Sequence, residues 1–218
     1  MNAFKTIALA YTLSFLACSV FFSDLFFLRN QSFMWHHDTE IPFVNTFALI
    51  SALRQGTWPL FDPYDGMNFA FSHMAHGVYT VANIATAFIY LLFSPLYKFP
   101  GEAYHHSFSI VFHAVTMLIR TLGGYVLLRK FSLSPAVIVL ALVFLNTFLS
   151  STMYFGLVTE NLYSYFPLLA YFIISFFERF RLKDLGAAAL VLAVCVANSP
   201  LFALGYFYQN VHFLNCPF

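Results

Sequence analysis

Six mostly apolar runs, Phe4–Leu28, Val78–Tyr97, Tyr104–Leu128, Pro135–Phe155, Leu162–Phe177 and Leu185–Leu204, occupy most of this chain. A helix that crosses a bilayer needs about 20 consecutive, mostly apolar residues. In lipid, the backbone polar groups of such a segment must be satisfied within the segment, so runs of this length are expected as helices. Composition agrees: 9% of the 218 residues are charged and 61% are hydrophobic, whereas a soluble domain carries about 25% charged residues. So few charges cannot solvate an ordinary surface. The expected fold class is an all-α integral membrane protein, a single transmembrane domain over residues 1–218. The near-neutral charge, +1, provides no electrostatic footprint for nucleic acid.

The first run has one lysine, Lys5, and continues past Cys18 into "VFFSDLFFL". A secretory signal has an apolar core of about 7–15 residues and a small-residue cleavage site. The longer run here predicts an uncleaved first spanning helix. The three cysteines, Cys18, Cys195 and Cys216, form no CxxC pair. Neither a zinc site nor a disulfide framework is expected from them.

Lysine and arginine mark the cytoplasmic side of a membrane protein. Arg129 and Lys130 follow the third run, and Arg179, Arg181 and Lys183 follow the fifth. Residues 29–77 hold Arg29 and Arg54 against Asp38, Glu40, Asp62 and Asp65, so this stretch is expected outside. With Lys5 inside, every connection obeys the rule only if Val78–Tyr97 does not cross. That segment also carries Thr80, Asn83, Thr86 and Ser94. It is therefore read as a re-entrant or interfacial hairpin within a long outer loop, residues 29–103. The expectation is a bundle of five transmembrane helices, or six if the segment spans.

Within that loop, Ile41, Val44, Phe47 and Ala48 follow a helical period after Asp38 or Thr39, either of which suits an N-cap. A helix over residues 39–54, lying in the membrane surface, is predicted. The passage "GTWPLFDPYDG" follows. Trp58 and Tyr64 are expected as headgroup-level anchors, with Pro59 and Pro63 stiffening the loop and Gly56 and Gly66 permitting turns.

The order of these pieces resembles the N-terminal part of a GT-C-type polytopic membrane glycosyltransferase, the group that includes protein mannosyltransferases and aminoarabinose transferases. The residues that carry the resemblance are Gly56, Trp58, Pro59, Leu60, Pro63, Tyr64 and Gly66, then "GYVLLRKFSLSPA", then Glu160 in a second outer turn, then Pro167-Leu168-Leu169. The resemblance runs along nearly the whole chain, although each motif is short. It implies transfer of a sugar from a polyprenyl-phosphate-linked donor. It also implies that Asp38, with Glu40 beside it, and Glu160 are the catalytic carboxylates. A carboxylate there would accept a hydroxyl proton or hold a divalent cation near Asp38. The alternative roles are a helix cap for Asp38 and a solvated or helix-start charge for Glu160. Members of the family are longer, so the chain is expected to be a fragment or a degenerate relative.

The run from Tyr104 carries a polar stripe. His106, His113 and Arg120 recur every seven residues, with Ser109 and Thr116 on the same helical face. Ionisable residues in a spanning helix face a bundle interior or a cavity. Arg120 would contact a lipid-linked phosphate or an internal partner, with His113 and His106 lining the same path, or its long stem would carry the charge to the interface. His73 and His76 share a face if helical, but two ligands do not make a metal site. The competing function is a non-catalytic transmembrane subunit packed in a larger membrane complex, binding lipid or a pigment through His106 or His113.

Overall fold

The computed structural model describes residues 2–21, 55–56, 81–93, 101–150 and 163–197. Among the described residues the regular structure is entirely helical, with no strand. The helices are α1 (Ala3–Phe21), α2 (Val81–Phe93), α3 (Gly101–Lys130), α4 (Pro135–Ser150), α5 (Phe166–Arg179) and α6 (Leu182–Ala197). Two stretches, Ala3–Phe21 and Ile110–Lys130, are long and apolar enough to cross a membrane.

Local sequence explains where the helices start and stop. Asn2 caps α1: its side-chain oxygen accepts the Lys5 N–H at 2.9 Å, and its carbonyl accepts the Thr6 N–H. After α3, the Phe131 and Ser132 N–H groups close back on Leu128 and Arg129, and Ser132 takes a left-handed φ of 55°. Ser134 then accepts the Val137 N–H, with Pro135 in the first turn where a missing N–H costs nothing. α5 ends on Phe180, also left-handed at φ 49°, whose N–H reaches the Phe176 carbonyl. A side chain in this conformation costs about 1–2 kcal/mol, which both turns carry to fold the chain straight back.

α3 is the hub. It packs against α1, α2, α4 and α5, while α1 also packs on α4, and α6 on α5. With 30 residues it is about 45 Å long. Two adjacent glycines let its neighbours come close. A Cβ on Gly123 would lie 3.1 Å from the Leu168 backbone nitrogen of α5, and one on Gly124 would lie 2.6 Å from Leu142 Cδ2 of α4. On α1 the buried positions are Thr6, Ala10, Ser14 and Cys18. They recur every four residues and are all small, which is how one helix seats closely against another. Ala10 meets Ile138, Val139 and Leu142 of α4. Tyr165, Val191 and Ile119 form a second cluster joining α3, α5 and α6.

Large apolar side chains face outward on several helices, while many polar side chains are enclosed beside the apolar core. Buried positions include Thr6, Ser14, His113, Thr116, Arg120, Thr121, Asn146, Ser164 and Ser175. Exposed positions include Leu9, Leu13, Leu16 and Val20 on α1, Leu140, Phe144 and Phe148 on α4, and Leu190 and Leu192 on α6.

Four sequence-derived segments begin or end differently here. The first helix is described as far as Phe21, and residues 22–28 lie outside the described residues. The segment read as a hairpin contains a 13-residue helix, α2, which packs beside α3 with Thr86 and Ala87 buried. The third helix extends at both ends, to Gly101 and Lys130. The fifth run opens with Tyr163 and Ser164 already helical, and the sixth begins at Leu182. The interfacial helix over 39–54 lies outside the described residues. Gly56 sits in a turn at φ 68°, a conformation that favours glycine.

Candidate functional site

The stripe on α3 supplies an arginine that is wholly enclosed, 0% exposed, beside three other enclosed polar side chains: Ser14 of α1, Thr121 of α3 and Asn146 of α4. Arg120 Nε donates to Asn146 Oδ1 at 3.0 Å. Asn146 Nδ2 donates to Ser14 Oγ and to Thr121 Oγ1, both at 2.9 Å. The two hydroxyls have already committed their hydrogens, Ser14 to the Ala10 carbonyl and Thr121 to the Met117 carbonyl, each at 2.7 Å. Their lone pairs are therefore free to accept. The amide of Asn146 has only one sensible orientation, with oxygen towards the cation and nitrogen towards the hydroxyls.

The bonds made by Asn146 join different helices of the bundle. Asn146 alone ties α4 to α1 and α3. Farther along α3, Thr116 Oγ1 donates to the His113 carbonyl at 2.9 Å, and Tyr11 of α1 donates its hydroxyl to the Ala114 carbonyl at 3.1 Å. Arg120, His113 and Thr116 carry further interactions besides these. An arginine stays charged at any ordinary pH, so this arrangement fixes a positive charge inside the bundle. It can hold an anion or a partner side chain. It cannot donate or accept protons in turnover.

The residues singled out from the sequence fall into two groups. His113, Thr116 and Arg120 all lie in the interior at 0% exposure. His106 is on the same helix, with its side chain outside the description. Asp38, Glu40, Glu160, Trp58 and Tyr64 lie outside the described residues, as do His73 and His76. The reading in which Arg120 extends to the interface is corrected: its guanidinium is enclosed, because Asn146 offers an acceptor at its own depth. Among the described residues no three His, Cys, Asp or Glu side chains gather as metal ligands. The divalent cation expected near Asp38 would fall outside them.

Sequence reasoning missed Asn146, Ser14 and Thr121. A carboxamide inside the otherwise apolar run Pro135–Phe155 was a usable signal, since such a group needs partners wherever water is absent. The four-residue recurrence of Thr6, Ala10, Ser14 and Cys18 was another. Neither says which helix supplies the partner.

Comparison with known proteins finds no family model, no curated protein and no solved structure that matches the chain.

Proposed function

We propose that this chain is an integral membrane bundle of five or six spans. In this reading it forms the N-terminal part of a GT-C-type glycosyltransferase using a polyprenyl-phosphate-linked sugar. The observation that carries the membrane reading is the outward apolar surface: large apolar side chains face outward on α1, α4 and α6, while many polar side chains are enclosed. A water-exposed apolar surface of that extent would aggregate, whereas lipid accepts it. The Lys/Arg distribution supports an orientation with the N-terminus and the ends of α3 and α5 on the cytoplasmic side, and the membrane of this reading is a bacterial inner membrane. The transferase reading rests on the motif order. Asp38, Glu40 and Glu160 would provide the chemistry from the outer face.

The second reading is a non-catalytic subunit. Its support is that Arg120 Nε is engaged by Asn146, so at least part of the guanidinium serves to join helices.

Labelling tests the orientation, and lipid binding together with transfer separates the two readings. Cysteine labelling from outside should modify Lys98→Cys and spare Arg129→Cys; the reverse pattern overturns the orientation. Native mass spectrometry of the purified chain should show binding of undecaprenyl phosphate and of its sugar-linked form, and Asp38→Asn and Glu160→Gln should lower transfer of the sugar rather than binding of either lipid. No binding of either lipid leaves the subunit reading standing. Unchanged transfer in a well-expressed Asp38→Asn variant would make Asp38 only a helix cap.

A further inference from the structure

At the C-terminal end of α3, α3 and α5 flank a second polar feature. Tyr125, Val126, Arg129 and Lys130 of α3 and Tyr171 and Arg179 of α5 line a recess of about 440 Å³. Lys130 is its anchored member. Its side chain is only 10% exposed, its Nζ donates to Ser175 Oγ at 3.1 Å and pairs with Glu178, and the Tyr171 ring lies 5.5 Å away. The other two cations, Arg129 and Arg179, lie on exposed positions. Three cations thus line the recess, and the carboxylate paired with Lys130, Glu178, is half exposed. The surplus positive charge has two tyrosines beside it as hydroxyl donors.

The approach to the recess is apolar. Leu118, Leu122 and Val126 recur every four residues on α3, and all three are exposed. That spacing puts them on one face, and Arg129, three residues beyond Val126, continues it. The track ends in the recess, because Val126 and Arg129 both line it. A phosphate would sit among the arginines while a hydrocarbon chain lay along the leucines.

From this juxtaposition we infer a binding site for the headgroup of an anionic phospholipid, a phosphodiester with its acyl chain against α3. Basic recesses between helices on the cytoplasmic side suit such headgroups, since that leaflet is negatively charged. Arginine offers the forked donor geometry that phosphate oxygens match. A soluble phosphate would use the same cations but gain nothing from the apolar track. This inference rests on the membrane reading, and it is independent of the transferase reading.

The test uses the full chain purified in a neutral detergent, titrated by native mass spectrometry with phosphatidylglycerol, phosphatidylcholine and inorganic phosphate. Phosphatidylglycerol should bind about tenfold more tightly than phosphatidylcholine. The double variant Arg129→Gln/Arg179→Gln should lose about that tenfold. Glu178→Gln, which removes the competing carboxylate, should bind phosphatidylglycerol more tightly than the wild type. Arg181→Gln/Lys183→Gln removes the same charge just outside the recess and should change binding less than about twofold. Equal binding of the two lipids, or equal losses in the two double variants, overturns the site. Inorganic phosphate binding as tightly as phosphatidylglycerol overturns the lipid assignment. A chain that stays soluble and monodisperse without detergent overturns the membrane reading instead, so the two failures are told apart.

Discussion

Replacing Asn146 by alanine tests the buried network most directly. The variant removes the acceptor of Arg120 Nε and the donor to Ser14 and Thr121. The two hydroxyls lose little, because each keeps its bond to a carbonyl four residues back. The arginine loses more. A hydrogen bond to a charged group contributes about 1.5–3 kcal/mol, and bonds between helices in a bilayer contribute about 0.6 on average. The expected loss is about 3 kcal/mol. Asn146→Asp should behave differently. It keeps an oxygen facing Nε, and the hydroxyls can turn to donate to its second oxygen. The added attraction and the added desolvation offset each other, leaving the variant within about 1 kcal/mol of the wild type. Cys18 supplies the assay. It is buried on α1, one turn beyond Ser14, so its thiol reacts only when α1 leaves α4. In a Cys195→Ser/Cys216→Ser background, the Asn146→Ala variant should label about a hundredfold faster, the factor that 3 kcal/mol implies. Labelling within about twofold of the parent would refute the network as a source of stability. An Asn146→Asp variant as fast as Asn146→Ala would refute the electrostatic argument and leave shape as the cause.

Three other outcomes follow from the packing. Gly123→Leu would push its side chain into the Leu168 backbone and should lower the midpoint of thermal unfolding through a loss of about 3 kcal/mol or more. Ala10→Leu, on the seam with Ile138 and Leu142, should cost about 1–3 kcal/mol by the Cys18 labelling assay, whereas Leu9→Ala, on the outward face, should cost about 0.5 kcal/mol or less. Glu178→Gln breaks a pair with one exposed partner. It should reduce stability by less than about 1 kcal/mol in thermal unfolding, and less still at high salt.

Every described helix overlaps one of the apolar runs, as the length and low charge of those runs lead one to expect, and two of the helices are long and apolar enough to cross a membrane. The start of the fourth helix was legible too: the run was bounded at Pro135, and α4 begins there. The polar stripe of His113, Thr116 and Arg120 could be read as one face because helical period is a local property. The identity of its neighbours could not. Asn146 meets Arg120 across 26 residues and Ser14 across 132, and pairings at such separation depend on which helices lie side by side. Local sequence carries the direction in which a side chain leaves its helix. Only the packing of α1, α3 and α4, brought close by small residues on α1 and by Gly124, decided that Arg120 would be enclosed with an amide rather than extended to the interface.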